Sequence, residues 1–75
     1  MQNVKDKVFL GKLGRHIRKL RLERGLTQAD VGIDMDNYAE QIGRIERGQL
    51  NVTICTLKKI AASLEISLSE LLNFE

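Results

Sequence analysis

The apolar residues of this 75-residue chain recur at helical spacing along most of its length. A first helix is expected over about residues 7–24, where steps of three, four and three residues align apolar side chains on one face. These side chains are Leu10, Leu13, Ile17 and Leu20. Gly25 then ends the helix, because glycine adopts a left-handed C-cap without strain. Gly11 and Gly14 inside the helix each lower its stability by about 1 kcal/mol relative to alanine, which close packing would explain.

A second and a third helix are predicted from capping residues and short apolar stripes. Thr27 is a natural N-cap, and Asp30 follows it in the first turn, where the helix dipole favours a carboxylate. The third helix has Ile42 and Ile45 on its inner side and is expected to end at Gly48.

Two more helices follow. Thr53 caps a fourth helix, and Ser67 with Glu70 forms the capping-box pattern that begins a short fifth one. Their apolar stripes are Leu57, Ile60, Ala61 and Leu64, and then Leu68, Leu71 and Leu72. The chain has no repeats, linkers or low-complexity segments. We therefore expect one domain over residues 1–75, all-α, with five short helices around one core.

Composition excludes several classes of site. The single cysteine, Cys55, cannot close an intramolecular disulfide, and with the single histidine, His16, it cannot build a zinc site. We expect Cys55 to be buried and His16 to be exposed. No apolar run approaches the ~20 residues of a membrane span. No nucleophile–base pattern or glycine-rich phosphate loop is present. The expectation is a cytoplasmic protein that is not an enzyme and needs no metal or cofactor.

Charge is unevenly distributed along the chain. Residues 1–24 hold eight basic and two acidic residues, a net charge of +6, whereas residues 25–75 hold four basic and eight acidic residues, a net charge of −4. Such a basic segment indicates either an anionic partner or the solvated face of an amphipathic helix. For Lys12, Arg15 and Lys19 on the outer face of the first helix, the solvated interpretation is preferred, and Arg18 stays open.

Residues 28–47 have the pattern of two helices that cross closely. Short helices joined by a turn of three or four residues must touch near a right angle, which requires a small residue such as Gly32. The apolar residues expected to lock the pair are Val31, Met35, Ile42 and Ile45. In such a helix-turn-helix the second helix can enter the major groove of DNA.

The chain resembles the phage repressor and Cro type of helix-turn-helix transcriptional regulators. The matching stretches are LGRHIRKLRLERGLTQADV, QIGRIERGQLN and TLKKIAASLEISLSELL, within about residues 10–72. The resemblance implies a lambda-repressor-like five-helix fold with helices 2 and 3 as the helix-turn-helix, and binding to double-stranded DNA. It leaves open a phage-type repressor, a controller protein of a restriction-modification locus, or an antitoxin. A protein-interaction module with weak or no DNA binding is the alternative.

The turn between these helices departs from the family pattern. Asp36 and Asn37 stand where the family has glycine and an apolar residue, and Tyr38 is the candidate to replace the apolar contact. Asp36 is predicted to have positive φ, so Asp36→Gly should be neutral or slightly stabilising. Asp34, Asp36 and Glu40 also bring negative charge near the expected DNA face, which lowers non-specific affinity.

The resemblance places four base-contacting positions on the third helix. Arg44 can donate to O6 and N7 of guanine. Glu40, one turn earlier, can accept from cytosine N4 or pair with Arg44. Ala39 and Gly43 are small, so they offer a methyl contact to thymine or simply a close approach.

A second set of positions is expected to contact phosphates. Thr27 and Gln28 begin the second helix, where free backbone amides suit an anion. Arg47 and Asn51 flank the loop after the third helix, and Gln41 is expected at the edge of the groove.

Two further expectations concern stability and assembly. The resemblance implies an ion pair between Arg21 and Glu46 that ties the first helix to the third. A homodimer is also expected, since one recognition helix makes few base contacts. Its interface is predicted at the C-terminal patch of Leu68, Leu71, Leu72 and Phe74, with the loop of residues 49–53 and the start of the fourth helix as the alternative.

Overall fold

The computed structural model describes residues 4–32 and 39–74, which form five α-helices. In chain order the helices are α1 (Val4–Glu23), α2 (Gln28–Gly32), α3 (Ala39–Glu46), α4 (Ile54–Ser63) and α5 (Leu68–Leu71). The predicted all-α fold and helix order are confirmed, and α1 begins about one turn earlier than expected. The predictions for Asp34, Met35, Asp36, Asn37 and Tyr38 lie outside the described residues.

The core combines the predicted apolar stripes of all five helices. Its buried side chains are Leu13, Ile17, Val31, Ile42, Ile45, Leu57, Ile60, Ala61, Leu64 and Leu71. Leu10 is also buried, whereas Leu20 packs against the cluster from a half-buried position. Two hydrogen bonds to backbone carbonyls support the packing: Arg24 Nε donates to Leu64 O at 2.8 Å, and Ser63 Oγ donates to Val31 O at 3.2 Å.

The helix boundaries follow the expected caps. Thr53 Oγ1 accepts from the amide of Thr56 at 3.2 Å, and Ser67 and Glu70 form the complete capping box that begins α5. Gly25 and Gly48 have φ of +67° and +73°, which confirms them as the ends of α1 and α3. After α4 the left-handed position is taken by Glu65, at φ 59°, which no pattern in the sequence indicated.

Gly14 lets α1 and α3 approach each other closely. A Cβ atom at Gly14 would overlap the carbonyl oxygen of Ile45 and would lie 2.5 Å from that of Glu46. Backbone atoms cannot be displaced as easily as the end of a flexible side chain, so this helix contact depends on glycine. The expected close packing is confirmed at Gly14.

Three expectations about individual side chains are wrong. Cys55 is exposed, because it lies on the outer side of α4. His16 is half-buried, with its ring centroid 5.5 Å from that of Phe74. Leu71 is fully buried in the core and cannot contribute to a C-terminal surface patch, and Phe74 packs against Phe9 at 5.4 Å between ring centroids.

Within residues 4–32 and 39–74, no helix is long and apolar enough to cross a membrane. The same residues contain no group of three or more histidine, cysteine, aspartate or glutamate side chains that could hold a metal ion.

Candidate DNA-contacting surface

A buried ion pair fixes the inner side of α3. Arg21 Nε donates to Glu46 Oε2 at 2.6 Å, and Arg21 Nη2 donates to Glu46 Oε1 at 3.0 Å. Both residues are less than a tenth exposed. The hydrogen bond to Glu46 and its negative charge raise the pKa of Arg21 above its ordinary value, despite the opposing effect of burial. The predicted pair is confirmed.

The same carboxylate also holds the first residue of α2. Gln28 Nε2 donates to Glu46 Oε1 at 3.2 Å, so Glu46 accepts hydrogen bonds from side chains of both α1 and α2. Arg21 Nη1 additionally donates to the carbonyl oxygen of Leu26, at 2.8 Å, in the connection between these helices. The orientation of α3 is therefore set by one network that joins three helices.

Gly43 lies beneath the side chains of Gln28 and Arg47. A Cβ atom at this position would meet Arg47 Nη1 at 3.2 Å and Gln28 Oε1 at 3.3 Å. Gly43 is itself buried. The absence of a side chain here brings Gln28 and Arg47 against the backbone of α3, a consequence that the sequence pattern did not indicate.

The start of α2 is capped reciprocally. Thr27 Oγ1 accepts from the amide of Asp30 at 3.0 Å, and Asp30 Oδ2 accepts from the amide of Thr27 at 2.8 Å. The hydrogen bonds from the backbone and side chain of Thr27 lower the pKa of Asp30. Because its pKa is lowered, this carboxylate stabilises the fold at every pH above its pKa in the unfolded chain, which is about 3.9. The stabilisation is lost as the pH falls through the pKa of the folded protein.

Two charged side chains project outward from α3. Glu40 and Arg44 form an ion pair across one helical turn, with Arg44 Nη2 3.1 Å from Glu40 Oε1. Their side chains are 80% and 49% exposed, respectively. An exposed pair of this kind contributes only about 0.3–0.5 kcal/mol. Arg44 can therefore leave Glu40 for a stronger acceptor at little cost.

The other predicted positions flank this pair. At 100° per residue, Gln41 lies on one side of Arg44 around α3, and Gly43 and Arg47 lie on the other. Gln41 and Asn51 line the same small depression between α3 and the start of α4. Arg47 is exposed and donates from Nε to Gln49 Oε1 at 3.3 Å. Ala39 is half-buried at the first position of α3.

Comparison with known proteins places this arrangement in a family. The model of the family described as Helix-turn-helix (HTH_3) matches residues 17–71. Control protein C.MunI of a Mycoplasma species is 38% identical over 61 residues, which are 80% of this chain and 82% of that protein. Control protein C.BamHI of Bacillus amyloliquefaciens is 31% identical over 62 residues, or 81% of this chain and 76% of that protein.

A solved structure agrees with these relatives. The restriction-modification controller protein C.AhdI from Aeromonas hydrophila superimposes with a TM-score of 0.81 at 34% identity, covering 87% of this chain and 94% of that one. The chain belongs to this helix-turn-helix family of DNA-binding transcriptional regulators.

Proposed function

We propose that the protein binds a specific palindromic site on double-stranded DNA as a homodimer and regulates transcription from it. The observation that carries this proposal is the outward display of Glu40 and Arg44 on α3, whose opposite side is fixed by the Arg21–Glu46–Gln28 network. A rigid helix with exposed polar side chains is what major-groove contact requires. The proposed activity is binding rather than catalysis, and the proposed location is the cytoplasm.

Each side chain of the surface has a role in this proposal. Arg44 donates to guanine, and Glu40 either accepts from cytosine or releases Arg44. Ala39 offers a methyl group. Gly43 is covered by Gln28 and Arg47, so its role is to bring these two side chains against α3 rather than to contact a base. The phosphate contacts come from residues on both sides of α3 and from the first turn of α2: Thr27, Gln28, Gln41, Arg47 and Asn51.

Arg44 and Arg47 provide a matched pair of tests. Arg44→Ala is expected to weaken binding to the best site by about 1–3 kcal/mol and to relax the preference at one base pair of each half-site. Arg47→Ala is expected to weaken binding to all sequences alike. It should also reduce the slope of the logarithm of the binding constant against the logarithm of the salt concentration by about one unit. Fluorescence anisotropy against single-substitution operators measures both. Uniform losses for both variants would make Arg44 a phosphate contact.

The operator sequence can be identified by selection from random DNA. Duplexes bound by the full chain are enriched from a random library, and the affinity for the selected and a scrambled duplex is then measured between low and moderate salt. We expect a palindrome whose half-sites lie about one helical turn apart, and an affinity that falls steeply with salt. A chain that binds neither duplex at low salt would instead support the interaction module.

Exposed apolar side chains near the start of α4 support the dimer. Phe9, Ile54 and Leu72 are 53%, 59% and 38% exposed. They border one depression of about 430 Å³ between α1, α4 and α5. We name these three residues the apolar patch. It includes the start of the fourth helix that the sequence offered as the alternative interface, and it retains Leu72 from the C-terminal prediction.

A single substitution tests the apolar patch. Ile54→Ser is expected to weaken dimerisation at least tenfold, because two-fold symmetry removes the side chain from both copies and each buried isoleucine contributes about 1.5–3 kcal/mol. Leu22→Ser is the control, since Leu22 is 52% exposed on α1 outside the patch. Sedimentation at micromolar concentration measures the association. A monomeric parent, or an equal loss in Leu22→Ser, would contradict the proposed interface.

A further inference from the structure

A second charged surface lies on the outer side of α1, away from the face that packs on α3. It is an open depression of about 380 Å³ between α1 and the residues that follow α5. Its lining consists of Lys12, Arg15, His16, Lys19, Asn73 and Phe74. Lys12 and Lys19 are seven residues apart, two helical turns, so their ammonium groups and the Arg15 guanidinium rise from one side of the helix.

The positive charges of this depression have no acidic counterpart among the described residues that line it. Arg21 and Arg44 each pair with a glutamate, whereas no ion pair involves Lys12, Arg15 or Lys19 within residues 4–32 and 39–74. Like charges gathered around a concave surface raise the local positive potential and concentrate anions. The depression therefore favours a ligand with two or more negative charges.

The Phe74 ring beside these basic side chains indicates a second property of the ligand. Phe74 is half-buried, and its ring centroid lies 5.4 Å from that of Phe9 and 5.5 Å from that of His16. The His16 ring is further positioned by Nε2, which lies 3.4 Å from the carbonyl oxygen of Glu70. Asn73 supplies an amide that can both donate and accept. A fixed apolar ring beside an amide suits a flat heterocycle.

We propose that this depression binds a nucleoside polyphosphate. Its base packs on Phe74 and contacts Asn73, and its phosphates are bound by Lys12, Arg15 and Lys19. The volume falls within the range of small-molecule sites, about 300–1,000 Å³. The proposal does not depend on DNA binding, because none of these residues belongs to the α2–α3 surface.

Titration of the full chain without DNA tests the ligand class. ATP, adenosine and inorganic tripolyphosphate are compared by calorimetry at constant ionic strength, and amide chemical shifts locate the bound ligand. We expect ATP to bind at least tenfold more tightly than either part, with shifts centred on residues 12–19 and 73–74. Tripolyphosphate that binds as tightly as ATP, or shifts spread over other basic residues, would overturn the proposal in favour of unspecific charge attraction.

Variants test the phosphate contacts and the aromatic contact separately. Lys12→Ser/Lys19→Ser is expected to weaken ATP binding about tenfold or more, because two charged phosphate contacts are lost. Phe74→Leu keeps an apolar side chain against Phe9 but loses the ring, and about a tenfold loss is expected for ATP and none for tripolyphosphate. Lys58→Ser/Lys59→Ser removes equal charge from the exposed side of α4 and should leave ATP binding within twofold. An equal loss in that control would overturn the assignment.

Discussion

Glu46→Gln is expected to lower the free energy of unfolding by roughly 3–5 kcal/mol. The substitution keeps the shape of the side chain but removes its charge, and the buried guanidinium of Arg21 is left without a counterion. Glu46 also accepts a hydrogen bond from Gln28, so both of its carboxylate oxygens are acceptors. A glutamine side chain has only one acceptor oxygen and cannot replace both. For a domain of this size the loss corresponds to a fall in Tm of more than about 10 °C.

The exposed pair of α3 provides the control for this prediction. Glu40→Gln removes the same charge from an ion pair of the same type, but its side chain is 80% exposed. We expect a change below about 0.5 kcal/mol. Urea unfolding followed by circular dichroism measures both variants. If the free energy of unfolding of Glu46→Gln lies within about 0.5 kcal/mol of the parent's, as expected for an exposed pair, the Arg21–Glu46 pair is not a stabilising element.

Gly14→Ala is expected to destabilise the protein by about 2–3 kcal/mol. Alanine gains up to about 1 kcal/mol of helix propensity over glycine, but its Cβ would collide with the backbone carbonyls of Ile45 and Glu46. Neither oxygen can rotate away, so α1 and α3 must separate, as in an overpacked core. Because Glu46 is at this contact, separation of the helices also strains its bonds to Arg21.

Gly11 offers a matched control on the same helix. Among the described residues, a Cβ atom there would meet only the end of the flexible Arg15 side chain, at 3.3 Å. Gly11→Ala is therefore expected to be stabilising, by up to about 1 kcal/mol. Chemical unfolding of the two variants should give changes of opposite sign. The same sign for both would show that helix propensity, and not the approach of α3, governs position 14.

The helices and their boundaries could be predicted from the sequence because they depend on local interactions. Apolar spacing, Thr53 and Ser67 as N-caps, and glycine at positions 25 and 48 act within a few residues of one another. The resemblance to repressors added the pairing of Arg21 with Glu46, two residues far apart in sequence. Local rules did not indicate the left-handed Glu65, because glutamate is not a residue that favours this conformation.

Tertiary packing alone decided which side of a short or evenly apolar helix faces inward. Leu71, the last residue of α5, is fully buried, whereas Leu72, which follows it, is exposed, although the sequence placed both on one patch. A helix of four residues makes about one turn, so its pattern has no period that could distinguish them.

The sequence by itself determined the helices and their caps, since short-range interactions specify these features, and the resemblance to repressors indicated the helix-turn-helix class. Only the tertiary structure decided that Cys55 is exposed, that Gln28 and Arg47 cover Gly43, and that one carboxylate, Glu46, joins three helices. The physical reason is that these contacts join residues from different helices. Their geometry depends on how closely the helices approach one another. The spacing of side chains along one helix gives no information on that distance.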